Sequence, residues 1–182
     1  MAKLKVAAPP PPPAPDFIAQ LTVRRANGAD RDWIEALHRL SFGPGRYARA
    51  AFRVRERIDP DPALSFLADF QGKPVASVMM TPIAVGGALG YLLGPLATDP
   101  AHRNKGAGRL LVGHATEAAD ADPTSQFVLL VGDEPYYGPL GFKPTVGGAV
   151  GFPGPVDPAR ILVHCDAALI ARLKGSVGAR TN

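Results

Sequence analysis

Three cations and two glycines fall within Arg103-Asn104-Lys105-Gly106-Ala107-Gly108-Arg109, a composition suited to holding a phosphate or a diphosphate. The chemistry would rest on backbone amides. The first turn of a helix has N–H groups without intrahelical partners, and the helix dipole adds positive potential at the same place. Gly106 and Gly108 carry no Cβ, so a ligand can approach the main chain closely. Arg103, Lys105 and Arg109 add full charges. The spacing excludes two common phosphate loops. No Walker GxxxxGK[ST] run is present, and Leu111 stands where a dinucleotide GxGxxG fingerprint needs its third glycine.

Such a loop needs a strand before it and a helix after it. Gly90 to Thr98 supplies the strand, interrupted by Gly94-Pro95. Proline cannot donate to a sheet ladder and glycine often marks a bulge, so this strand is expected to part from a neighbour and free main-chain groups around Leu96, Ala97 and Thr98. Leu110, Leu111, Ala115, Ala118 and Ala119 carry helical spacing after the loop. Phe127 to Val131 is a continuous apolar run, expected as a strand buried on both faces. It leads into Gly132-Asp133-Glu134-Pro135-Tyr136-Tyr137-Gly138-Pro139-Leu140-Gly141-Phe142.

Arg103-x-x-Gly106-x-Gly108 resembles the (Gln/Arg)-x-x-Gly-x-(Gly/Ala) pyrophosphate loop of the GNAT superfamily of acyl-CoA-dependent N-acyltransferases. Tyr136-Tyr137 with Gly141-Phe142 is similar to that family's aromatic-Tyr-x-x-x-Gly-Phe segment, and the likeness spans residues 22 to 145. The resemblance implies an α/β (α+β) fold with a mixed, mostly antiparallel sheet, flanked by helices and splayed at a central strand. It implies acetyl-CoA as cosubstrate, its arm along Leu96, Ala97 and Thr98 and its diphosphate on Arg103, Asn104, Lys105, Gly106, Ala107, Gly108 and Arg109. An amine acceptor would attack the thioester directly. Tyr137 matches the family's tyrosine that protonates the departing thiolate, and a phenol near pKa ~10 suits a thiolate near ~8.5. Tyr136 is expected to pack against the core. Some members use a carboxylate from the central strand as base, but Tyr91 to Thr98 has none. Asp133 or Glu134, more weakly Asp69, or a water chain are the candidates.

Length and composition suit one soluble domain. The 182 residues are enough for a substantial core, with 46% hydrophobic and 20% charged residues. Residues 1–16 read as a proline-rich, disordered leader and 17–182 as one acyltransferase domain. The leader's Pro9 to Pro13 is either a spacer or a ligand for a proline-recognising module. The single Cys165 fits a reducing, cytoplasmic setting, and no apolar run is long enough to span a membrane. Net charge is +4, yet no nucleic-acid-binding signature appears, and an anionic coenzyme accounts for the basic loop. The four histidines show no metal-ligand spacing, so no metal is expected. Either a monomer or a homodimer fits.

The remaining elements frame these motifs. Phe17 to Arg24 is expected as a first strand and Asp30 to Leu40 as a helix, with Trp33, Leu37 and Leu40 on one face. Arg46 to Arg57 reads as a second helix whose Arg46, Arg49, Arg53 and Arg57 form a stripe. In the resembling family the first two helices border the acceptor groove. Arg49 and Arg53 would then favour an acidic acceptor or an acidic carrier, the alternative being a solvated face. A hairpin turns at Gln71-Gly72-Lys73, another turn falls over Val85 to Leu89, and Arg160 to Cys165 is a last strand, followed over Ala167 to Leu173 by a short helix or an extension. Two other functions stay open: transfer from a longer or carrier-bound acyl donor, and acyl-CoA sensing without turnover.

Overall fold

The computed structural model describes residues 15–180. Its sheet is mixed and mostly antiparallel. β1 (Leu21–Arg25), β2 (Phe66–Phe70), β3 (Lys73–Val85), β4 (Ala88–Thr98), β5 (Phe127–Val131), β8 (Ile161–Cys165) and β6 (Lys143–Pro144) lie side by side in that order. β9 (Gly175–Ala179) runs antiparallel to the end of β3 and parallel to β7 (Val150–Gly151). The helices are α1 (Pro15–Ala19), α2 (Arg31–Phe42), α3 (Ala50–Arg55), α4 (Ala107–Asp120), α5 (Glu134–Tyr137) and α6 (Ala167–Ile170).

The apolar runs of β3, β4, β5 and β8 separate two cores, because strand side chains alternate between faces. Val78, Met80, Tyr91, Leu93, Val128, Leu130 and Leu162 pack with Leu111 and Ala115 of α4. Ile83, Val85, Leu92, Leu129, Ile161 and Val163 pack on the other side with Val54 of α3. Ala107, Leu111, Val112, Ala115 and Ala119 place small and apolar residues on the buried face of α4, letting it lie close to the sheet.

One irregularity matters most. β4 pairs with β3 over nearly its whole length, but Val78 faces Leu96 while Met80 faces Leu93, so Gly94 and Pro95 oppose the single Met79. On its other side β4 is parallel to β5 only at Gly90, Tyr91 and Leu92, opposite Phe127, Val128 and Leu129. The expected splay therefore begins at the bulge.

Several expectations are corrected. Residues 1–14 of the leader lie outside the described residues, and residues 15–16 open α1. Phe17 is helical rather than extended, since Pro15 suits a helix start, and the first strand begins at Leu21. In α2 the buried side chains are Ile34, Leu37 and His38, whereas Leu40 is 63% exposed. His38 sits between Phe42 and Phe52, and burial holds it neutral, its pKa pulled down to about 3. The predicted helix from Arg46 to Arg57 is broken. Pro44–Ala48 forms a 3-10 turn, Arg49 is extended (φ −73°, ψ 140°), and α3 starts only at Ala50. The stripe is lost with it: Arg46 is buried, while Arg49, Arg53 and Arg57 stay exposed. β6, β7 and β9 were not expected.

Two polar clusters fasten the margins. Arg180, just after β9, lies 4.2 Å over the Tyr91 ring and donates to the Gly90 carbonyl at 3.0 Å. The Tyr91 hydroxyl donates to Asp122 at 2.7 Å, and burial helps push its pKa up to about 12. Arg24 of β1 grips Asp30 through two N–H groups at 2.8 Å and Asp69 of β2 through Nε at 2.7 Å. This pairing holds the Asp30 carboxyl below its usual range. The Arg24→Ala substitution strands both carboxylates and should lower the unfolding free energy by about 1–2 kcal/mol, measured by chemical denaturation. A depressed folded-state pKa gives stability that is complete above the unfolded value of about 3.9 and is lost as pH falls through the folded value. The variant should therefore show a flatter acid limb of stability against pH; an unaltered limb would contradict the assignment.

Candidate active site

The loop that follows β4 is shaped by short-range capping. Asp99 accepts from the Ala101 amide at 2.9 Å and starts a 3-10 turn over Pro100–His102. Asn104 (φ 61°) and Gly106 (φ 94°) are both left-handed, and Gly106 caps α4 with no side-chain acceptor for the helix amides. A glycine suits the cap because its φ costs no Cβ clash. The first amide of this turn to bond back is that of Leu110, to the Gly106 carbonyl at 3.0 Å, leaving the opening turn's N–H groups for a ligand.

A cleft of about 300 Å³ lies over these amides. Leu96, Ala97, Thr98, Arg103, Asn104, Gly106, Ala107, Gly108 and Arg109 all line it, as does His102. Lys105 does not; its ammonium donates to the Ala101 carbonyl at 3.0 Å and stands 5.4 Å over the Phe17 ring. Arg103 is steadied by the Thr98 carbonyl at 3.2 Å and reaches toward Ser41 of α2. Ser41 and Phe42 also line the cleft, a contribution from α2 that no sequence signal announces. Diphosphate-binding chemistry fits this surface, since it joins unpaired amides, a helix N-terminus and two guanidinium groups with no carboxylate partner among the described residues.

The cleft continues into a chamber of about 910 Å³, the two sharing Phe42, Leu96 and Tyr136. Tyr136 was expected to pack into the core, but its ring bridges both spaces. The Arg109 guanidinium lies 5.4 Å from that ring. The gap between β4 and β5 opens into this chamber, with Leu93, Gly94, Pro95 and Leu96 on one side and Val131 to Tyr137 on the other. Tyr137 is held edge-on to Tyr136 (4.7 Å, 74°) and Phe142 (6.0 Å, 71°). Gly132 makes room for it: a Cβ there would lie 2.3 Å from Tyr137 Cε2. Burial first, then the neighbouring Tyr136 and Asp133, push the Tyr137 phenol well above the usual range, against the pull of Arg160. It is a firmly protonated group facing the chamber.

Both candidate carboxylates reach the chamber, but in different states. Asp133 accepts from Arg160 Nε at 3.1 Å, whereas Glu134 opens α5 and has no ion-pair partner among the described residues. Asp157, which sequence reading missed, also lines the chamber and caps the turn that carries Arg160. It belongs to a distant loop without a recognisable motif. Asp69 is held by Arg24 in the β1–β2 pair. Of the two arginines expected at an acceptor groove, Arg49 lines the chamber, while Arg53 packs beside Gly154.

The sequence pattern of the Acetyltransferase (GNAT) family matches residues 31–134, and the chain belongs to that family. It is 28% identical over 142 residues to the uncharacterized N-acetyltransferase YjhQ of Escherichia coli (strain K12), covering 76% of this chain and 77% of the relative. The fold is shared with the GNAT family N-acetyltransferase YhbS of Escherichia coli in complex with CoA, at a TM-score of 0.70 and 23% identity, over 88% of this chain and 90% of that one. It is also shared with a GNAT family acetyltransferase of Brucella melitensis in complex with acetyl-CoA, at a TM-score of 0.64 and 21% identity, over 88% and 96% of the two chains.

The close contact at Gly132 can be tested directly. Gly132→Ala forces the Tyr137 ring to move and should cost about 1–3 kcal/mol of stability, read from the unfolding midpoint. An unchanged midpoint would show that the ring is not held there.

Proposed function

We propose that this member of the GNAT acetyltransferase family moves an acetyl group from acetyl-CoA to a primary amine by direct attack on the thioester. The observation that carries the reading is the continuity of the amide-lined basic cleft with the chamber faced by Tyr137. The related folds captured with CoA and acetyl-CoA support the choice of donor.

In this reading the diphosphate rests on the amides at the start of α4, with Arg103 and Arg109 beside it. The donor arm lies along Leu96, Ala97 and Thr98, whose backbone has lost the β5 partner. The thioester then enters the chamber near Leu96. A neutral amine attacks the carbonyl carbon, forming the C–N bond and a tetrahedral oxyanion, which backbone N–H groups of β4 stabilise. Collapse of that intermediate breaks the C–S bond, and Tyr137 gives its proton to the leaving thiolate. The amine's surplus proton passes to Glu134, because Asp133 is already engaged by Arg160. Glu134 also draws the cationic amine to the chamber, where the amine gives a first proton to solvent and attacks in its neutral form.

Thiol release from acetyl-CoA with a panel of amines tests the reading, and longer acyl-CoA donors in the same assay define the acyl length. Tyr137→Phe should lower kcat by roughly 100-fold while leaving the calorimetric affinity for coenzyme A unchanged. Coenzyme binding without thiol release for any amine would instead establish a sensor. Because the Tyr137 phenol lies above its ordinary pKa of about 10, wild-type turnover should not fall through its ionisation below that pH. Arg49→Glu should raise KM for acidic amines several-fold with coenzyme affinity preserved, whereas Arg53→Glu should change neither.

A further inference from the structure

Phe17 touches the coenzyme loop without lining the cleft. Its ring stacks on His102 at 5.8 Å and 22°, and meets Phe70 of β2 at 4.9 Å. Phe70 and His102 are themselves 5.7 Å apart, so the three rings close a triangle. The Lys105 ammonium lies 5.4 Å from the Phe17 centroid. Two side chains of the loop, one on each side of Arg103-Asn104, thus converge on a single ring from the N-terminal segment.

The loop needs outside support. Arg103, Asn104 and Lys105 are exposed, and Asn104 holds a left-handed φ of 61°, a conformation that asparagine enters more readily than other non-glycine residues but still at a cost. Amides that must face a ligand cannot also fix the loop by bonding one another. On the inner side Asp99 pins the turn, through the Ala101 amide and through His102 Nδ1 at 3.3 Å. On the outer side the stacked ring and the cation–π contact do so, beside the bonds of Lys105 to the Ala101 carbonyl and of Arg103 to the Thr98 carbonyl. The dependence is mutual, since α1 has five residues and cannot persist without packing.

We propose that Phe17 is a positioning residue for the diphosphate loop, so that the N-terminal segment sets the affinity for the coenzyme. The inference rests on the reading above, in which this loop receives the coenzyme diphosphate. It concerns ground-state binding and not the chemical step, because Phe17 stands outside both the cleft and the chamber.

The test compares wild type with Phe17→Leu, which keeps apolar volume but removes the ring face, and Phe17→Tyr, which restores it. Phe17→Leu should raise the calorimetric Kd for coenzyme A and the KM for acetyl-CoA roughly fivefold with kcat unchanged, and Phe17→Tyr should return both to wild-type values. Turnover of S-acetyl-pantetheine, which lacks the diphosphate, should have the same kcat/KM in all three proteins. Equal coenzyme affinities in wild type and Phe17→Leu, or a parallel loss with the truncated thioester, would overturn this inference alone. A wild-type protein that takes up no coenzyme A would overturn the functional reading and this inference together.

Discussion

Three pairs of residues, Gly90 to Leu92 against Phe127 to Leu129, are all that join β4 to β5, and the site exists because they stop there. A sheet normally consumes the hydrogen-bonding groups of an interior strand on both sides. Here the two-residue bulge at Gly94-Pro95 keeps β4 registered with β3 through Thr98 while freeing its other edge. The cost of unpaired interior backbone is tolerable only where water or a ligand can reach it. The cleft and the chamber supply that access, and α2, α3 and the 155–160 segment wall it without closing it.

The same parting organises the charges. β4 delivers its free edge directly to the opening turn of α4, so peptide dipoles and guanidinium groups reinforce each other at one end. At the other end the guanidinium of Arg160 occupies Asp133, and burial keeps Tyr137 a neutral phenol. A cationic end and a protonated phenol are thereby separated along one continuous space. The amides and the phenol are each carried by one contiguous segment, although Phe17 supports the first from outside and Arg160 flanks the second.

That locality explains what the sequence disclosed. The loop of Arg103 to Arg109 acts through contiguous backbone, so its residues could be read in order, and all but Lys105 line the cleft. The strand break was legible because proline and glycine restrict a ladder wherever they occur. Lys105 lies outside that lining because its ammonium turns to the Ala101 carbonyl and to the ring of Phe17, which lies far away in sequence. The arginine stripe failed for a different reason: the spacing was helical, but a 3-10 turn opened by Pro44 runs to Ala48 and the extended Arg49 divides the segment. β9 has the sequence Gly175-Ser176-Val177-Gly178-Ala179, too small and too weakly patterned to announce a strand. Ser41, Phe42 and Asp157 join the site through tertiary folding alone.

The attachment of β7 has an architectural consequence. Val150 and Gly151 are fixed by Gly175 and Ser176, and the Gly175 amide donates to the Ala149 carbonyl at 2.9 Å. The segment that next supplies Pro155 to Arg160 to the chamber is therefore moored at its start to β9, and at its end to β5 through the Gly132 amide and the Arg160 carbonyl at 2.9 Å. Substitutions or insertions near that mooring can remodel one side of the cavity while β4 and α4 keep their shape. The fold thus lets the wall that carries Asp157 and the turn that opens α4 vary independently.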